Sequence, residues 1–136
     1  MLEDRTWFAA PAAKAELLEQ LRQIAPVDLP DSYFALLAVS DGGEGPLPAS
    51  PYTLCLDPAA EVIDALRSGQ TGSDGFLVFG GNGGAEYLAF DLRGQKPWPV
   101  VAIDMVAGAE TTASVAPDFD SFTEMIGREA DTASVR

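Results

Sequence analysis

The chain contains no histidine. That removes the commonest general base, the serine and cysteine triads that need an imidazole, and most zinc sites. There is one cysteine, Cys55, so an intrachain disulfide and a thiolate metal cluster are excluded. Basic residues are scarce: 8 Lys and Arg stand against 21 Asp and Glu, a net charge of −13. No apolar run approaches the ~20 residues that cross a bilayer. The start, Met1-Leu2-Glu3-Asp4-Arg5, lacks the basic-then-apolar layout of a signal peptide. The expectation is a cytosolic protein with no membrane contact, no cofactor and no metal.

The placement of the few bases says more than their number. Between Arg22 and Arg67 there is none, while Asp28, Asp31, Asp41, Glu44, Asp57, Glu61 and Asp64 lie there. Between Lys96 and Arg128 there is again none, with Asp104, Glu110, Asp118, Asp120 and Glu124 between them. Such a surface repels phosphates, which disfavours nucleic acid as a partner. It draws basic proteins and speeds encounter with them. Solubility alone accounts for an acidic surface equally well.

A chain of 136 residues is one domain by size, expected over residues 1–136 with its core over about 15–127. Hydrophobic residues make up 47% and charged residues 21%, an ordinary globular balance. Leu17, Leu18, Leu21 and Ile24 recur at helical spacing, predicting a helix over 11–25 that Pro26 ends. A second, largely buried helix follows Leu29-Pro30, carries Tyr33, Phe34, Leu36, Leu37 and Val39, and stops at Asp41-Gly42-Gly43. Residues 44–51 read as a loop and Tyr52 to Leu56 as a strand. Asp57-Pro58 reads as an N-cap with proline in the first turn of a helix reaching about Arg67.

The second half is strand-rich. Phe76 to Phe79 is apolar on both faces, and Glu86 to Asp91 alternates Leu88 and Phe90 with Tyr87 and Ala89. Pro99 to Met105 is a further strand, 106–112 a small-residue loop, and Ala113 to Ala116 a short last strand. Asp118 caps a helix with Phe119, Phe122, Met125 and Ile126, and 130–136 reads as a frayed tail. The expected class is α+β, with the strands concentrated in the second half.

Each chemical motif has a plainer competitor. Gly80-Gly81-Asn82-Gly83-Gly84 lacks the dinucleotide spacing and precedes a strand, so it reads as a hairpin turn. Glu86 shares strand parity with Leu88 and Phe90, which makes it either a half-buried carboxylate or a solvated strand end. Glu61 and Asp64 stand i, i+3 on one helix, but with 21 acids a chance pair is expected. Ser73-Asp74-Gly75 is only a fragment of a calcium loop. Cys55, between Leu54 and Leu56, reads as a buried structural thiol. Trp98, between Pro97 and Pro99, is either an exposed anchor or part of the core's rim.

Taken together, the motifs resemble a known family. Leu29-Pro30-Asp31-Ser32-Tyr33 leads a helix to Asp41-Gly42-Gly43. Then come Phe79-Gly80-Gly81-Asn82-Gly83-Gly84-Ala85-Glu86, Ala89-Phe90-Asp91 and Pro97-Trp98-Pro99-Val100-Val101. Val115-Ala116 and Asp118-Phe119, with Phe122, close the series. This order over roughly 15–127 is similar to the SUKH superfamily, in its Smi/Knr branch. The resemblance implies one mixed, mostly antiparallel, strongly curved sheet. Two N-terminal helices, one middle helix and one C-terminal helix pack around it. It also implies binding without catalysis: bacterial members are mostly immunity proteins against toxins, often nucleases, and fungal members are regulatory scaffolds in cell-wall synthesis. Asp41 stands where the family usually has Asn before Gly-Gly.

The expected function is an immunity-type protein that occludes a basic toxin domain, as a monomer or weak homodimer. Asp41, Glu44, Asp57, Glu61, Glu86 and Trp98 are the candidate contact residues. The alternatives are a regulatory scaffold with no toxin partner and an enzyme using Glu86 or the Glu61/Asp64 pair.

Overall fold

Seven strands hydrogen-bond in chain order, each antiparallel to the next, in an unclosed sheet β1-β2-β3-β4-β5-β6-β7. The computed structural model describes residues 2–130. The strands are β1 (Phe8–Ala9), β2 (Gly43–Pro46), β3 (Thr53–Leu56), β4 (Phe76–Gly81), β5 (Glu86–Asp91), β6 (Val100–Asp104) and β7 (Gly108–Ala116). Among the described residues four helices accompany them: α1 (Ala15–Ile24), α2 (Asp31–Val39), α3 (Ala59–Arg67) and α4 (Phe119–Thr123). The α+β class and the four helices match the sequence reading. The sheet is antiparallel at every pairing among the described residues.

The sheet's inner face carries the core. Leu54, Leu56, Leu77, Phe79, Leu88, Phe90, Val100 and Ala102 meet Tyr33, Leu36 and Leu37 of α2 and Phe119 and Phe122 of α4. Five aromatic rings nest at its centre. Tyr33, Phe79, Phe90 and Phe119 lie within 4.9–6.0 Å of one another, and Phe122 adds contacts to Phe79 and Phe119. Edge-to-face and tilted rings of this kind add to plain area burial. α2 is apolar nearly all round because it lies between the other helices and the sheet, as its density of large residues predicts.

Three boundaries differ from the sequence reading, each for a physical reason. α1 begins at Ala15 because residues 11–14 run extended beside the end of α2, where Ala13 N–H donates to Leu37 O and Asp41 N–H to Pro11 O. The expected loop at 44–51 contains β2, whose glycines admit β1 at close range. A Cβ on Gly45 would lie 2.6 Å from Thr6 O and 2.7 Å from the Trp7 ring. β7 starts at Gly108, inside the expected loop at 106–112, because small residues form a strand when a neighbouring ladder supplies the bonds. The expected tail lies outside the described residues beyond residue 130.

Candidate functional site

Strand register places a row of residues on the face turned away from the main core. Glu44 pairs with Cys55, Cys55 with Gly81, Gly81 with Tyr87, and Tyr87 with Ile103. A second row runs Val78, Ala89, Val101, Ser114. Opposed residues share a face of a pleated sheet, so these side chains lie together. Phe76, Ala89, Val101 and Ile103 form a small buried cluster there, with Val78 packed against it.

The face is a trough rather than a plane. One cavity of about 260 Å³ is lined by Asp57, Glu61, Val62 and Ala65 with Gln70, Thr71, Val78 and Tyr87. A second, of about 140 Å³, shares the last four and continues to Asp74, Asp104, Met105 and Ala109. One wall is the 70–74 segment, pinned where Thr71 Oγ1 accepts from Val78 N–H at 2.7 Å and donates to Phe76 O at 3.1 Å. The other is the 104–109 turn, where Asp104 Oδ1 accepts from Val106 N–H and Ala107 N–H at 2.8 Å each. These two bonds hold the Asp104 carboxyl below its usual range. Tyr87 and Met105 are 41% and 42% exposed and Val106 94%, large apolar groups left open at one place.

Asp57 stands half-buried at the trough's acidic end, and no hydrogen bond or ion pair to its carboxylate is found among the described residues. Burial, then the charge of Glu61, push it up from 3.8 to about 6. The folded state therefore binds a proton more tightly than the unfolded chain. Its stabilising share is full below pH 3.8 and is lost as pH rises through about 6. Asp57→Asn is expected to stabilise the fold at about pH 7.5 by roughly 1 kcal/mol, solvent on the open side screening the rest. The gain disappears below about pH 4. Urea midpoints of both proteins across that range check it, and a gain independent of pH contradicts it.

The other candidates are distributed. Asp41 is structural: its Oδ1 accepts from Ala59 N–H at 2.7 Å and so caps α3. This corrects the expectation that Asp57 caps that helix, since among the described residues the Asp57 carboxylate bonds no N–H of its first turn. An Asn at this position keeps the same acceptor oxygen. Asp41→Ala is expected to cost about 1–2 kcal/mol and Asp41→Asn only a few tenths. Thermal unfolding of the pair checks it, and equal losses would contradict the cap.

Glu44 is exposed and faces Cys55, with Sγ to Oε2 at 3.7 Å. Cys55 is half-buried on the outer face rather than buried as expected, because its neighbours Leu54 and Leu56 take the core side of β3. Burial first, then the Glu44 carboxylate, raises its thiol, which keeps it a poor nucleophile. Glu86 is half-buried and accepts from Asn82 Nδ2 at 3.2 Å. Asn82 Oδ1 in turn accepts from Gly84 N–H and Glu86 N–H, which closes the expected hairpin turn with Gly83 at φ +77°. Glu61 and Asp64 are both exposed on α3. Trp98 is half-buried, its indole N–H donating to Asp28 O at 3.1 Å, beside a separate cavity of about 490 Å³. That cavity holds Lys96, paired with Asp28, and none of the exposed large apolar residues.

Among the described residues no group of three or more His, Cys, Asp or Glu is placed to hold a metal ion, and no helix is long and apolar enough to cross a membrane. Residues 12–128 match the SMI1 / KNR4 family (SUKH-1). The chain belongs to this family. No curated protein matches it. Of the residues singled out in the sequence, the fold brings Asp57 and Glu61 together and sets Trp98 elsewhere. Tyr87 and Met105 were not singled out, although Tyr87 alternates with the core residues Leu88 and Phe90.

Proposed function

We propose that this chain is a non-enzymatic, cytosolic protein-binding domain, an immunity protein that binds and neutralises a cognate toxin through an acidic surface. The supporting observation is membership of the SUKH-1 family in a chain that carries −13 net charge and no histidine. A binder needs no proton-transfer group, and the partner that fits such a charge is basic. A nuclease toxin is an apt partner, because its substrate is a polyanion and the surface that binds it carries basic groups.

Co-expression tests this. Genes adjoining this chain's gene are screened for one whose product arrests growth of a bacterial host, and that toxic domain is then induced with and without the chain. Growth is expected to recover only with the chain present. Continued growth arrest with both proteins folded and abundant would leave the regulatory-scaffold alternative standing.

A further inference from the structure

An acidic protein can meet a basic partner anywhere on its surface, unless apolar groups fix the place. Tyr87, Met105 and Val106 are the large apolar side chains left exposed beside the trough, over a floor of Val78 and Ile103. Carboxylates stand at its ends, Asp57 and Glu61 at one, Asp74 and Asp104 at the other. Among the described residues no Lys or Arg lines it. An apolar centre with a polar rim that excludes water is the layout of an interface hot spot.

We propose that the outer-face trough is the docking surface for the partner protein, which presents one apolar side chain over Tyr87 and Met105, flanked by an arginine or lysine directed to Asp57 and Glu61. This rests on the reading of the chain as a binder of basic proteins. The charge fit is what selects the occupant. Asp57 is a half-buried carboxylate with no cation of its own among the described residues, so a guanidinium entering there gains an ion pair in a partly desolvated place. Tyr87 lines the same cavity, and an aromatic ring attracts a cation over its face. The Trp98 cavity differs, because a lysine paired with Asp28 already stands in it and the Trp98 N–H is bonded.

The probe is a short amidated peptide in which two arginines flank a leucine, with a citrulline peptide as control. Titrated into the isotopically labelled full chain, it is expected to give saturable amide shifts at Val78, Tyr87, Ile103 and Met105. The citrulline peptide is expected to bind about tenfold more weakly. Tyr87→Ser with Met105→Ser is expected to remove the saturable shifts while the circular dichroism spectrum stays unchanged. Should that pair fail to fold, Asp57→Asn with Glu61→Gln serves instead, with a similar tenfold loss for the arginine peptide. Shifts centred on Trp98 and Asp120, shifts scattered without saturation, or none at all overturn the proposal. The growth assay keeps the two claims apart. Rescue that survives the Tyr87/Met105 variant refutes the trough and leaves the immunity reading intact. Absence of rescue by the unaltered chain refutes that reading, whatever the peptide does.

Discussion

Phe119→Ala is expected to lower the stability of the fold by about 3–5 kcal/mol, much of what a domain of this size possesses. Phe119 is 1% exposed and its ring meets four others, Tyr33, Phe79, Phe90 and Phe122, at 5.4–5.5 Å. α4 has only five residues, so its helical hydrogen bonds cannot hold it against the sheet alone. What fixes it is the burial of Phe119 and Phe122, the Asp118 cap (Ser121 N–H to Oδ1, 2.7 Å), and Arg5, which donates to Thr123 O and Ile126 O. Leu36→Ala, in the same core from α2, is expected to cost about 2–5 kcal/mol. Denaturant titration reads both as a lower midpoint at unchanged slope. Phe119→Leu, which keeps most of the volume, is the milder variant if the alanine form does not fold. A loss below about 0.5 kcal/mol for either alanine variant, typical of a surface site, would mean the helices are phased differently.

Association with a basic partner is expected to slow by about tenfold or more between low and high salt, while dissociation changes much less. The chain's field comes from two long stretches with no base between Arg22 and Arg67 and between Lys96 and Arg128. Such fields decay over about 8 Å at physiological ionic strength, so they act on the approach rather than on the closed complex. Replacing Asp57 and Glu61 together with Lys reverses the charge at one end of the trough. It is expected to slow association further and to speed dissociation, since Asp57 is half-buried there. Stopped-flow mixing across a salt series measures both rates. A rate that stays flat with salt removes the electrostatic part and leaves an apolar interface on Tyr87 and Met105.

The parts of the fold that strong local chemistry specifies could be read from the sequence. The β4–β5 hairpin follows from its glycine-rich turn between apolar runs, α2 from its dense large side chains, and the start of α4 from Asp118. What escaped was decided by distant partners. Gly43-Glu44-Gly45-Pro46 has no strand propensity, and it is a strand because its glycines let β1 pass. The first half of β7 is small and polar, and its only signal is the ladder to β6. The cap of α3 comes from Asp41, 18 residues upstream, and no spacing rule predicts it. The same limit governs the trough. Asp57 and Glu61 could be singled out by charge, but Tyr87 joins them only through strand register and Met105 through the turn that follows β6, and neither is unusual by itself.

Titration of the toxic domain's activity with this chain tests binding without catalysis most directly. With the toxic domain held far above the dissociation constant, residual activity is expected to fall linearly and reach zero at one equivalent of chain. It is expected to return when the complex is dissociated and the chain removed. A loss that deepens with time at well below one equivalent, or one that persists after separation, would mean that the chain alters the toxin chemically. Full residual activity at a large excess of chain would contradict neutralisation altogether.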